Sequence, residues 1–171
     1  MSFIIHLAKE NFKFSSTHFT IFSKEKAERL HGHNYQVKCE IELTDLDPTI
    51  GMAFDFNLIK PEIKSLCDSV DEHVLIAAKS PFLQFKHVGD AIEMQFSNRR
   101  YSFPKDDCRE LPLVNITSEE LARYFCEMLY KRLTEIKNGP QFLSLLISVE
   151  ETRGQSVSYR KTMPQPVLSR S

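Results

Sequence analysis

Residues 31–44 read HGHNYQVKCEIELT. Tyr35, Val37, Cys39, Ile41 and Leu43 fall on one face of an extended chain, and Gln36, Lys38, Glu40 and Glu42 fall on the other. That two-residue period is the mark of a strand with one side in a core and one side in water. His31 and His33, which open the strand, are also two residues apart, so both imidazoles project to the same side and can converge on one ion. Gly32 between them lets a neighbouring backbone pass closely.

Upstream, residues 3–15 alternate Phe, Ile and Leu with polar residues and read as a half-buried strand that delivers His18. An antiparallel arrangement brings His18 beside the pair, and three imidazoles with a fourth position open to water form a catalytic zinc pattern. Spacing alone does not decide this, because a turn and a hydrogen-bonded core histidine leave the same trace. Cys39 shares the face of His33 but stands six residues along, about 20 Å in a strand, so core packing explains it.

Downstream, TDLDPTIGM carries the Asp, Pro and Gly punctuation of a turn, followed by an extended stretch, MAFDF. From Asp55 to about Val70 the apolar residues Phe56, Ile59, Ile63, Leu66 and Val70 recur every three or four positions, which predicts a helix capped by Asp55. Pro61 is tolerated if that helix starts near Leu58. Residues 91–103 read as an accessory β-hairpin around SNRR. A second helix starts at Thr117 or Ser118, with Glu119 and Glu120 in its first turn and a stripe of Leu121, Tyr124, Phe125, Met128, Leu129 and Leu133; Asn138-Gly139-Pro140 stops it. FLSLLISVEET and SVSYRK are strands separated by a turn near Arg153-Gly154-Gln155. This order predicts an α+β domain over residues 1–162, with two helices on one face of a mainly antiparallel sheet, and a loose tail over 163–171.

The 171 residues carry 22 basic and 23 acidic side chains, so nothing in the charge balance attracts a polyanion, and nucleic acid is not an expected partner. No apolar window reaches the length of a membrane span. The stretch MSFIIHLAKENFKF has only a short apolar start, broken by His6 and Lys9, which is unlike a signal peptide. Cys39, Cys67, Cys108 and Cys126 are widely spaced, without a CxxC pair, and read as free thiols. A cytoplasmic location is expected.

Four segments in order, FSSTH at 14–18, HGHNY at 31–35, GMAFDF at 51–56 and VEET at 149–152, resemble the 6-pyruvoyl-tetrahydropterin synthase and 6-carboxytetrahydropterin synthase family. The resemblance runs from about Phe12 to Arg160. It implies the tunnelling fold, in which small α+β subunits join through their sheets into a barrel, commonly a hexamer, with active sites at subunit interfaces. It also implies Zn2+ held by His18, His31 and His33 and a dihydropterin triphosphate as substrate.

Members making 6-pyruvoyl- or 6-carboxytetrahydropterin have a cysteine shortly before HGH, whereas this chain reads KEKAERL over residues 24–30. Glu28 stands three residues before His31, giving ExxHGH, which resembles a branch carried by Plasmodium parasites in which glutamate replaces the cysteine. That branch implies carbon–carbon cleavage of dihydroneopterin triphosphate to 6-hydroxymethyl-7,8-dihydropterin on the way to folate, with Glu28 as the base. Without HGH beside it, Glu28 would read as one more solvated charge in KEKAER.

Other residues are carried over on the same basis. The family has Asp followed directly by His where this chain has Asp71-Glu72-His73, so Asp71 and His73 are assigned a proton-transfer role, with the Asp71 carboxylate orienting the imidazole. A surface cluster at the end of a helix explains the three equally well. Glu151 matches the glutamate that anchors the pterin ring through paired N–H bonds, and Thr117, Ser118 and Glu119 match a segment that helps hold the pterin, although helix capping accounts for these three almost as well. Phe12, Phe14, Phe54 and Phe56 fit either the wall of a pterin pocket or, as alternating phenylalanines in strands more often do, the core, and carry no assigned role. Two alternatives stand beside the cleavage reaction: a 6-pyruvoyl- or 6-carboxytetrahydropterin synthase with proton transfer rerouted through Glu28 or His73, and a non-catalytic pterin-binding protein with structural zinc.

Overall fold

The computed structural model describes residues 2–136 and 141–163. In chain order its elements are β1 (Phe3–Leu7), β2 (Lys13–His18), β3 (His31–Leu43), α1 (Lys60–Asp68), β4 (His73–Ala77), β5 (Gln84–Val88), β6 (Ala91–Phe96), β7 (Arg99–Pro104), β8 (Cys108–Leu111), α2 (Ser118–Glu135), β9 (Ser144–Thr152) and β10 (Gln155–Thr162). Strands β10-β9-β3-β2-β4-β8 form one sheet in that order, with β1 also on β3, and β5-β6-β7 form a second. The large sheet is antiparallel from β10 to β2 and parallel where β2 meets β4 and β4 meets β8. No helix among the described residues is long and apolar enough to cross a membrane.

β3 is the spine. The predicted alternation holds along it, with Tyr35, Val37, Cys39, Ile41 and Leu43 all buried. The single strand expected over residues 3–15 is instead two, β1 and β2, laid end to end along one edge of β3. Leu7 pairs with Cys39 and Lys13 with Gln36, so the five residues from Ala8 to Phe12 face only Val37 and Lys38. The excess chain bulges out, and the Gln36 side chain stitches it down by donating to the carbonyls of Lys9 at 2.9 Å and Phe12 at 3.0 Å.

α1 and α2 cover one face of the large sheet, where Phe12, Phe14, Ile63, Leu66, Leu121, Phe125 and Leu129 join the β3 side chains in the main core. The helix expected from Asp55 is broken in two. Asp55 does cap it, accepting from the Asn57 N–H at 2.8 Å, but the cap opens a short 3-10 turn over Phe56–Leu58, and α1 begins beyond it with Pro61 in its first turn, where no N–H is needed. MAFDF is not a strand; it is an irregular lead into that turn, with Phe54 packed against the core and 5.5 Å from the Phe56 ring. α2 starts as predicted, Thr117 accepting from the Glu120 N–H at 3.3 Å, and ends at Glu135. The Asn138-Gly139-Pro140 stop lies outside the described residues, as does the tail beyond Met163.

The hairpin expected over 91–103 is present as β6 and β7, turning through Ser97-Asn98, but it belongs to a three-stranded sheet whose first strand, β5, was not anticipated. Its apolar side, with Ile92, Met94 and Phe96, closes on Phe19, Ile21, Ile76 and Leu83 as a second core. β4 and β8 were also not anticipated, because strands of five and four residues hold too little alternation to read. The four cysteines are free, and all but Cys108 are buried.

Candidate active site

The pairing of β2 with β3 builds a histidine cluster. His18 is the direct cross-strand partner of His31, and Ser16 is that of His33, so all three imidazoles share one face of the sheet. Their ring centroids lie 4.8 Å (His18–His31), 5.5 Å (His18–His33) and 4.7 Å (His31–His33) apart. One nitrogen of each falls within 4.8 Å of the others. The close approach attributed to Gly32 is real: a Cβ there would meet the Ser16 carbonyl oxygen at 3.3 Å.

Hydrogen bonds set the tautomers. His18 Nδ1 lies 3.0 Å from the Ile116 carbonyl oxygen and His31 Nδ1 lies 2.7 Å from that of Arg29. A carbonyl only accepts, so in both rings Nδ1 carries the proton and Nε2 presents a lone pair. Burial, the largest influence, pushes the His18 imidazole below its usual value against the pull of Glu151, which keeps it neutral. Two rings clamped through Nδ1, with a third beside them, are the donor set that zinc takes at about 2.0–2.1 Å per nitrogen.

His18 Nε2 gives a second sign of fit. It lies 3.0 Å from the Tyr35 hydroxyl, which itself lies 2.9 Å from Glu151 Oε1. The hydroxyl has one proton and donates it to the carboxylate, leaving a buried lone pair on Nε2 directed at an oxygen. A cation in the cluster satisfies that lone pair.

Two carboxylates border the histidines. Glu151 Oε1 is 3.4 Å from His18 Nε2 and 3.6 Å from His33 Nε2. It stands on the histidine face of β9, whereas Glu150 points the other way and pairs with Lys38 at 2.9 Å, as the strand period requires. Glu28 Oε2 is 3.9 Å from His31 Nε2. Burial works against its ionisation, but hydrogen bonds from the Thr20 side chain and backbone N–H lead the influences that bring the carboxyl below the usual range. Glu28 is therefore an anion at neutral pH, able to accept a proton.

Thr117, Ser118, Glu119 and Glu151 line one cavity of about 680 Å³, with Thr20 and Phe22 on its other wall. Thr117 serves as the helix cap as well. Asp71 and His73 stand elsewhere. Ser16 separates His73 from His33, pairing with His73 on one side and His33 on the other, which puts the two backbones two strand spacings, about 10 Å, apart. His73 and His33 border a different cavity of about 390 Å³. The Asp71 carboxylate does not orient His73 as expected. It accepts from the Ser15 N–H at 2.7 Å, and His73 Nδ1 meets the Asp71 backbone carbonyl instead. Glu72 adopts a left-handed backbone (φ 57°) and donates its N–H to the Ser15 carbonyl at 2.7 Å, so Asp71-Glu72 pin β4 to β2.

Three contributors escaped the sequence reading. Tyr35 was counted only as core, although its place two residues after His33 on the same face was a usable signal. Asn115 accepts at Oδ1 from the N–H groups of Ile21 and Ile116 and donates from Nδ2 to the Ile21 carbonyl, tying the segment after β2 to the start of α2. Arg99 reaches the backbone of Ala27 and Glu28. Neither has a local signature.

The 6-pyruvoyl tetrahydropterin synthase family model matches residues 7–162. A putative 6-carboxy-5,6,7,8-tetrahydropterin synthase of Methanocaldococcus jannaschii is 27% identical over 150 residues, covering 87% of this chain and 90% of its own. One from Pyrococcus horikoshii is 34% identical over 116 residues, 67% of this chain and 68% of its own. Among solved structures, the 6-pyruvoyl tetrahydropterin synthase of Plasmodium vivax superposes with a TM-score of 0.87 at 26% identity, covering 95% of this chain and 99% of that one. The Plasmodium falciparum protein gives 0.86 at 28%, with the same coverage. With the family model spanning nearly the whole fold, cluster and cavity included, the chain belongs to the 6-pyruvoyl tetrahydropterin synthase family.

Proposed function

We propose that the protein is a zinc-dependent lyase that takes 7,8-dihydroneopterin triphosphate and cleaves its side chain to 6-hydroxymethyl-7,8-dihydropterin, a folate precursor. The observation that carries this reading is the ionised Glu28 carboxylate 3.9 Å from a histidine of the cluster, in a segment with no cysteine. A catalytic glutamate has a parallel: the Plasmodium vivax relative has been solved with a catalytic residue, a glutamate, exchanged for alanine.

His18, His31 and His33 hold the ion. When bound, it supplies positive charge that favours loss of a proton from a substrate hydroxyl. Glu28 removes that proton, from the hydroxyl on the second carbon of the side chain. The bond between the first and second carbons then breaks, the outer two carbons leave as an aldehyde, and the first carbon takes a proton to become the hydroxymethyl group. Glu151 accepts paired N–H bonds from the pterin ring, with its carboxylate held in place by Tyr35, while Thr117, Ser118 and Glu119 close the 680 Å³ cavity around the ring. Association of subunits into a hexamer brings the sites to interfaces, in the cytoplasm.

A second reading, 6-carboxytetrahydropterin synthesis, is favoured by the names of the archaeal relatives. Incubating zinc-loaded protein with dihydroneopterin triphosphate and weighing the pterin products separates the two. The first reading expects 6-hydroxymethyl-7,8-dihydropterin, absent with Glu28→Ala; a 6-pyruvoyl or 6-carboxy product overturns it.

A further inference from the structure

Glu28 sits in a segment without regular structure, and its position is held largely from outside. The single bridge between Ile21 and Ala27 and the bond from the Glu28 N–H to the Thr20 carbonyl at 2.9 Å secure one side. The Thr20 N–H donates to Glu28 Oε2 at 3.2 Å. The other side is held by Arg99, at the start of β7 and 71 residues further along the chain. Its guanidinium donates from Nη1 to the Glu28 carbonyl and from Nη2 to the Ala27 carbonyl, the latter at 2.8 Å. The same group lies over the Phe96 ring, 5.4 Å from its centroid, and Phe96 is fully buried in the second core. Ala27 and Leu30 rest against that core too.

We infer that Arg99 is a positioning residue for Glu28 and that the β5-β6-β7 sheet is the arm carrying it. A planar guanidinium gripping two successive carbonyls fixes both the distance and the rotation of the backbone between them, which a point charge does not. The backbone so fixed is the one from which the Glu28 carboxylate reaches toward His31. Displacement of a catalytic group by about 1 Å costs roughly 100-fold in rate, so the clamp acts on turnover more than on binding. The proposal rests on Glu28 being the base.

The test uses the zinc-loaded full chain with Arg99→Ala, Arg99→Lys, Glu28→Gln and the double variant, and with Arg100→Ala, on the exposed neighbour, as control. Arg99→Ala is expected to lower kcat by about 10- to 100-fold with KM within about 2-fold, unchanged zinc content, and faster hydrogen exchange at the Glu28 amide. Arg99→Lys, which keeps the charge but not the fork, falls between and serves if the alanine variant does not fold. In the Glu28→Gln background, Arg99→Ala adds no further loss of residual turnover. A loss that appears in KM, that multiplies with Glu28→Gln, or that Arg100→Ala reproduces overturns the positioning role. If Glu28→Gln turns over normally, the base assignment falls and takes this proposal with it; if Glu28→Gln is inactive while Arg99→Ala matches the unaltered protein, only the positioning role falls.

Discussion

Tyr35 donates its hydroxyl proton to Glu151 across 2.9 Å, joining the middle of β3 to the end of β9, 116 residues away in sequence. Burial, reinforced by the Glu151 charge, drives the Tyr35 phenol far above its usual ionisation, so the proton stays in place. The tyrosine thereby acts as a permanent donor that holds a carboxylate toward both the cavity and the histidines.

Replacing Tyr35 with Phe removes that donor while keeping the ring that stacks on Phe14 at 4.6 Å. Because Glu151 is partly exposed and can rehydrate, folding stability should fall by no more than about 1 kcal/mol. Dihydropterin affinity should weaken roughly 5- to 10-fold, the effect of about 1 kcal/mol or slightly more at a ligand contact. A urea midpoint and a pterin fluorescence titration measure the two separately; unchanged affinity would remove Tyr35 from the site.

Metal removal should leave the fold intact, since the main core is apolar and lies beside the cluster rather than on it. Chelation is expected to abolish turnover with the far-ultraviolet circular dichroism unchanged. His31→Ala should lose zinc at little cost in stability, its side chain being 35% exposed. His18→Ala should lose zinc and also destabilise by about 2–4 kcal/mol, because it opens a buried gap and leaves the Ile116 carbonyl only the long 3.5 Å bond from the Thr20 hydroxyl. Elemental analysis showing stoichiometric zinc in either variant would refute the ligand set.

Thr117→Ala should cost about 1 kcal/mol through loss of the cap to the Glu120 N–H, a drop of about 2–4 °C in melting temperature. Thr117→Ser restores the hydroxyl and with it the stability. If Thr117 only caps the helix, KM follows neither change; if it also holds the pterin, KM rises with alanine and recovers with serine.

The Gly154 N–H and then Lys38 hold the Glu150 carboxyl below its usual range. A carboxyl depressed in the folded state stabilises above its unfolded pKa, and the contribution disappears as pH falls through the folded value. Glu150→Gln should therefore be the less stable protein at pH 7 and converge with the unaltered one as pH falls through the depressed folded value. Thermal scans across that range check the sign, and added salt should shrink the gap because the pair with Lys38 is exposed. Convergence at high pH would contradict it.

Much of the site was legible because strand geometry is local. A histidine two residues from another on an alternating strand must share its face, so His31 and His33 followed from residues 31–44 alone. Their neighbour His18 needed only the antiparallel pairing of adjacent strands. Thr117 as a cap and Asp55 as a cap followed from side chains that bond within two or three residues. The FSSTH, HGHNY and VEET segments resembled the family that the comparisons then matched over residues 7–162. Asp71 shows the limit. Sequence placed it beside His73, but whether its carboxylate turned to the imidazole or to the Ser15 N–H depended on where β2 lay.

The α+β character, the spine strand, both helices and the face on which the histidines stand are each written in a period or a cap a few residues long, so the amino-acid order alone carries them. The packed fold was needed to show that residues 3–18 break around a bulge, that three short strands complete two sheets, that Tyr35 reaches Glu151, and that Arg99 grips the backbone of Glu28. The last two depend on groups about 70 and more than 100 residues apart meeting at hydrogen-bond distance, and such meetings are set by how whole sheets and cores pack rather than by any local run of the chain.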